Sequence, residues 1–221
     1  MTVEKVLKKL ESLGTERQRD FNKKNGASDN QFGCKKGDIR KVAKELKTNH
    51  ELGLELLQTE NVDARSLAIL ILKPEDLSIK EVEKMVKSET FTHLADWFTM
   101  YVIKKRKDKE TLREKWMKSK NKMLARAAWS LTSDVASKDP GSLELDAILD
   151  RIEKEMPKAA PEIQWTMNFT LAQIGINEKK RRKRAIAIGE EFGLYRDFPV
   201  SKGCTSPFAP IWIKEMVSRQ S

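Results

Sequence analysis

One carboxylate stands out. Asp96 sits among Phe91, Leu94, Ala95, Phe98, Val102 and Ile103, apolar residues that recur at helical spacing. A charge inside such a helix needs a partner, because burying it unpaired is costly. Two arginines share that kind of setting: Arg65 in Ala64-Arg65-Ser66-Leu67-Ala68, and Arg126 in Ala125-Arg126-Ala127-Ala128-Trp129. An ion pair between Asp96 and one of them, joining neighbouring repeats, is the plain structural expectation. The remaining chemistry is cationic. The 221 residues carry a net charge of +10, which favours an anionic partner, nucleic acid first. A surface that merely carries extra lysine is the bland alternative. Basic clusters fall at Lys35-Lys36, at Lys104 to Lys107, at Lys118, Lys120 and Lys122, and from Lys179 to Arg184. The last, which includes Arg181 and Arg182, is six basic residues in succession. Ala185, Ile186 and Ile188 follow it, so it reads as the start of a helix whose basic face meets solvent or phosphate.

Other chemistries find little footing. Cys34 and Cys204 have no indicated base, and His50 and His93 are not at ligand spacing to them. No phosphate-binding glycine loop and no dinucleotide fingerprint is present. No metal and no cofactor is expected. The longest apolar run, Leu67 to Leu72, is far too short for a bilayer, and the start of the chain is amphipathic. A cytoplasmic monomer with no membrane partner is the expectation.

The elements that must hold these groups are helices. Val3, Val6, Leu7, Leu10 and Leu13 share one face, as do Ile39, Val42 and Leu46 after a possible Asp38 cap. Further helical patterns centre near Leu67, Asp96, Ala128 and Met167, with more polar helices between. Their interval, roughly 30–40 residues, is that of helix-pair repeats. The fold class is therefore all-α, and the regular spacing favours a helical-repeat solenoid of the HEAT or armadillo kind over a plain helical bundle, in a single domain over residues 1–221. From Tyr195 to Pro210 the chain is aromatic, turn-rich and non-periodic. Residues 195–221 are expected to cap the open end of the solenoid, a loop followed by a short helix. Alternatively Lys202, Gly203 and Thr205 offer donors to phosphate.

Phe32-Gly33-Cys34-Lys35-Lys36-Gly37-Asp38-Ile39-Arg40, Ala64 to Ala68, Ala95-Asp96-Trp97, Ala125 to Leu131, Gln164 to Phe169 and Tyr195 to Ile213 together carry a resemblance. Over essentially its whole length the chain resembles the DNA alkylation repair family, the AlkD-like HEAT-repeat alkylpurine DNA glycosylases. The resemblance implies that duplex DNA with alkylated bases is cradled in the concave face. It also implies release of cationic N3- or N7-alkylated purines without base flipping. Such a base leaves without a strong acid, so one carboxylate that stabilises the sugar cation and positions water suffices. That carboxylate falls on Asp96, and the family's active-site arginine falls on Arg126. Arg65, Lys202 and the cluster residues Lys35, Lys36, Lys179, Arg181 and Arg182 are the candidate DNA contacts, and the resemblance turns this positive charge into a basic concave face of a HEAT-like solenoid.

The chain departs from the family at two aromatic positions. Thr92 stands one turn before Asp96, and Phe169 stands where a tryptophan is usual. Trp97, Trp129 and Trp165 are near enough in sequence to replace those faces, or else belong to the core. Two functions follow: an alkylpurine glycosylase using Asp96, or a non-catalytic HEAT-like module that binds damaged or branched DNA. A protein-interaction scaffold is a third.

Overall fold

In the computed structural model, which describes residues 1–220, each apolar pattern above centres on a helix. The one around Asp96, however, ends at Tyr101, with Ile103 in a separate 3-10 turn. Asp38 does not cap its helix, because that helix already starts at Lys36. It lies inside the first turn, where its charge faces the N-terminal N–H groups. Among the described residues there are thirteen α-helices and no strand beyond an isolated antiparallel bridge between Gly14 and Cys34. The chain divides into two compact units, Met1–Lys109 and a second from Glu110 onward.

The first unit holds α1 (Val3–Leu13), α2 (Glu16–Lys24), α3 (Lys36–Leu46), α4 (His50–Gln58), α5 (Val62–Ile71), α6 (Ile79–Ser88) and α7 (Thr92–Tyr101). Thr2, Thr15, Asn49, Asn61 and Ser78 accept hydrogen bonds from the first turns of their helices, so the starts are written in cap residues. At Ser78 the reciprocal bond from Glu81 completes a capping box. Helix α5 is apolar on nearly all sides, and α1, α3, α4 and α7 pack against it. Leu10, Ile39, Leu56, Leu67 and Ile71 are fully buried there.

Helix α2 escapes a periodicity reading. Its residues, Glu-Arg-Gln-Arg-Asp-Phe-Asn-Lys-Lys, have no apolar stripe, and only the Thr15 cap announces it. The loop after it is fastened by Asp63. That buried carboxylate accepts backbone N–H bonds from Phe32, Gly33 and Cys34 at 2.6, 2.9 and 3.0 Å. Gly33 is required here: its φ is +81°, and a Cβ would meet the Thr15 carbonyl oxygen at 2.4 Å. Cys34 is buried and donates its thiol to the Leu10 carbonyl. Burial, with the Asp63 charge adding, pushes the thiol pKa up, so it stays protonated and structural.

The second unit holds α8 (Lys109–Trp116), α9 (Lys122–Lys138), α10 (Leu145–Glu155), α11 (Pro161–Asn177), α12 (Arg182–Phe192) and α13 (Ala209–Ser218). Helices α9 and α11 pair along their length, and Thr170 in α11 donates to the Trp129 carbonyl of α9 at 3.0 Å. Helix α13 seats on α11 and α12 through two glycines. A Cβ on Gly175 would lie 2.4 Å from Ile213, and one on Gly189 would lie 2.6 Å from Pro210. The terminal segment thus returns buried surface, Phe208, Ala209 and Ile213, to the core of its own unit. Ser221, the last residue of the expected cap, lies outside the described residues.

The similarity between the Arg65 and Arg126 segments carries a register shift. Asn61 and Asn121 cap α5 and α9 in the same way, each accepting from the second and third residues that follow. Arg65 is four residues past its cap and Arg126 is five past. One residue of helix is a turn of about 100°. The two arginines therefore leave their helices in different directions.

Candidate nucleic-acid interface

In the first unit, Lys36 opens α3 and Arg40 follows one turn later. Trp97 and Tyr101 are likewise one turn apart on α7. Lys36 Nζ lies 4.3 Å from the Trp97 ring centroid, and the Arg40 guanidinium lies 4.6 Å from it. The indole N–H of Trp97 donates to the Ser66 carbonyl at 2.9 Å, which locks the ring. Tyr101 packs 4.5 Å from Trp97, and its hydroxyl accepts from Arg40 Nε at 3.1 Å. Lys36 also donates to the Ser66 hydroxyl at 3.3 Å. Lys105 adds a third cation, 5.7 Å from the Tyr101 ring. Arg40 and Lys105 are exposed and Lys36 is half-buried, with exposed Lys35 just before it. Among the described residues, the bonding partners of Lys36 and Arg40 are hydroxyls and a ring, with no carboxylate. Burial lowers the Lys36 pKa to about 8; Arg40 pushes the same way, while Asp63 and Glu89 oppose it. The face of Trp97 also favours the ammonium.

Asp96 is half-buried on α7, beside Trp97 in sequence. Arg65 forms its ion pair with Glu89, N to O 2.6 Å. The other oxygen of Glu89 accepts the N–H groups of Thr90 and Phe91 at 3.0 and 2.8 Å. Arg65 thereby steadies the entry to α7, the helix that carries Asp96.

In the second unit Arg126 is buried, and it donates to the Glu162 carbonyl at 2.6 Å. Lys122 pairs with the Glu162 carboxylate at 2.5 Å and, through that bond first, holds its pKa down. Trp129 is 2 % exposed, with the Arg151 guanidinium 5.3 Å from its ring. Trp165 is half-buried and joins a series of rings. Phe169 lies 5.2 Å away, Tyr195 5.0 Å and Phe198 5.5 Å, and Trp212 meets Phe169 edge-on at 4.5 Å. Burial raises the pKa of Tyr195, and the charge of Arg126 partly offsets this.

The run of six cations splits. Arg181 makes a two-pronged pair with Asp146 at 2.7 and 2.9 Å, and Arg184 reaches Asp150 and Glu153, both at 2.6 Å. Arg182 donates to the carbonyls of Gly175 and Ile176, at 2.8 and 3.0 Å, satisfying the end of α11. Lys179, Lys180 and Lys183 remain exposed, as does Lys202 in the terminal loop.

Residues 6–193 match the family model described as DNA alkylation repair enzyme. The chain belongs to that family. An uncharacterized protein of Listeria innocua is 24% identical over 192 residues, covering 85% of this chain and 84% of its own. An uncharacterized protein of Listeria monocytogenes is 22% identical over the same extent, with the same coverage. Among solved structures, one belongs to a family related to the HEAT-like repeat DNA glycosylases, with affinity for branched DNA structures. Its TM-score is 0.82 at 24% identity, over 100% of this chain and 95% of that one. The fold is the HEAT-like repeat fold anticipated from the helix spacing.

Within this DNA alkylation repair family member, sequence reading named Lys36 and Trp97 but passed over Arg40 and Tyr101 as site residues. The signal was there: each lies four residues after its partner, the spacing that stacks side chains on one helix face. Glu89 and Asp63 gave no such signal, since their partners are far away along the chain. No helix among the described residues is long and apolar enough to cross a membrane.

Proposed function

We propose that this protein is a DNA-binding repair protein that grips the phosphate backbone of damaged or branched DNA. One observation carries the reading: Lys36 and Arg40 are held on the rings of Trp97 and Tyr101 with no carboxylate as bonding partner among the described residues. Their side chains are already ordered, so little rotamer freedom remains to be lost on meeting a phosphate. The affinity for branched DNA described for the solved structural relative supports the choice of ligand. Binding to a linear duplex and to a four-way junction, titrated with salt, tests it. A steep inverse dependence is expected, and replacing Lys36 and Arg40 by alanine should flatten the slope by about 2, near one unit per lost phosphate contact. Salt-independent binding in the wild type would sink the reading.

A second reading adds base release, with alkylated purines in double-stranded DNA as substrate. Asp96 favours it: the family's catalytic carboxylate falls there, and it stands half-buried on the helix that carries Trp97. The aromatic supply argues for binding first. Thr92 has no ring, Trp97 is 7 % exposed beneath two cations, and Trp129 is 2 % exposed. Release of N7-methylguanine and N3-methyladenine by the wild type, lost in Asp96→Asn with DNA affinity retained, establishes the second reading. No release by the wild type removes it and leaves the first intact.

A further inference from the structure

We propose that Phe198, backed by Trp165, is a stacking platform for an unstacked base face at a DNA branch point. The proposal rests on the DNA-binding reading and names the part of the DNA that the second unit takes.

Phe198 is 44% exposed, a large ring facing water on the loop between α12 and α13. Its position is nevertheless held. The Phe198 N–H donates to the Tyr195 carbonyl at 3.2 Å, closing a turn. Tyr195 has a φ of 65°, a left-handed conformation that is uncommon for a residue with a Cβ. Its ring stands edge-on to Trp165, 5.0 Å away, and Phe198 lies 5.5 Å from the same indole. Behind Trp165, the rings of Phe169 and Trp212 continue into the core of the unit. Asn168, buried beside them, donates to the Pro207 carbonyl at 2.8 Å and ties down the far end of the loop. The result is a packed row of rings whose last member is open.

A flat open ring on a basic protein matches one ligand surface. In duplex DNA each base has its faces covered by its neighbours, whereas a branch point leaves base faces bare. Aromatic side chains stack on such faces whatever the base, and apolar side chains also wedge into opened steps. Lys202, exposed four residues after Phe198 in the same loop, supplies a cation for the adjoining phosphate. The chain's net charge of +10 favours this polyanion over an apolar protein surface as the occupant.

The test uses the full chain, a four-way junction carrying 2-aminopurine at the branch, and a linear duplex of equal length. Wild-type binding should quench the 2-aminopurine. Phe198→Ala should lose about tenfold in junction affinity, keep duplex affinity within about twofold, and abolish the quench. Phe198→Trp should retain both signals, and its melting, like that of Phe198→Ala, should match the wild type because the ring is half open. Unchanged junction affinity in Phe198→Ala, or equal losses on junction and duplex, overturns the platform. Full rescue by Phe198→Leu also overturns it, because that residue has bulk but no flat face. If only Lys36→Ala with Arg40→Ala weakens the junction complex, the DNA-binding reading stands and the platform falls. If the wild type binds neither DNA at low salt, both fall.

Discussion

Two basic regions of this protein look alike as sequence and differ as chemistry. From Lys179 to Arg184 six cations follow one another, yet Arg181 and Arg184 are paired with carboxylates of α10 and neighbouring residues, and Arg182 ends α11. At Lys36 and Arg40 there are only two cations, but aromatic rings and hydroxyls hold them. An arginine between two carboxylates presents little net field to a phosphate. A cation held by rings and hydroxyls has no bonded carboxylate to offset its charge. The lesson is that basic density along a chain overstates the free charge where an acidic helix packs opposite. Alpha-helix α10, with Asp146, Asp150 and Glu153, is that helix here.

The largest expected effect breaks the contrast at its root. Asp63 holds the backbone that leads into Lys35 and Lys36, and Asp63→Ala leaves three buried N–H groups without their acceptor. Hydrogen bonds to a charged group are worth more than neutral ones, so a loss of about 3 kcal/mol in urea unfolding is expected. A loss below about 1 kcal/mol would mean that the loop holds itself, and that Lys36 owes nothing to Asp63.

Next in size is the contrast itself. Lys36→Ala with Arg40→Ala should weaken duplex binding about tenfold or more at low salt, whereas Arg181→Ala with Arg184→Ala should leave the salt slope unchanged. The reverse outcome in a salt titration would invert the comparison and place the phosphate contacts on α12.

A smaller effect comes from pH. Lys36 has a pKa of about 8, chiefly through burial, against an ordinary 10.5. Its charge is present below about 8 and lost above, so DNA affinity should fall a few-fold between roughly pH 7 and pH 9. Lys36→Arg should bind evenly over that range, since a guanidinium stays charged. Fold stability runs the other way. Between about 8 and 10.5 the unfolded chain keeps a proton that the folded chain has released, so stability rises with pH across that window. In Lys36→Met that rise should vanish from pH-dependent melting curves.

Smallest is Arg184→Ala. Its partners Asp150 and Glu153 are well exposed, so the destabilisation should stay below about 1 kcal/mol and fade at high salt. A larger, salt-insensitive loss would show that α12 depends on this pair to dock.

Much of the fold was legible because it follows from local rules. Leu10, Ile39, Leu67 and Leu171 lie on apolar stripes of period 3.6, and Asn61, Ser78 and Asn121 mark helix starts by their own side chains. Helix α2 was illegible for the matching reason: it is held by a cap and a buried Asn22–Gln31 bond rather than by an apolar face. The candidate site was legible only in part. Lys36 and Trp97 could be named as types, but the contact between them bridges sixty residues of chain, and no periodicity encodes it.

Residue order and composition by themselves determined an all-helical repeat protein with excess positive charge, because helix faces and caps depend on neighbours within a few positions. Which charges remain unneutralised was decided only by tertiary structure. Arg65 turned to Glu89 and Arg181 to Asp146. A one-residue shift past an Asn cap redirects a side chain by about 100°, and packing then selects its partner.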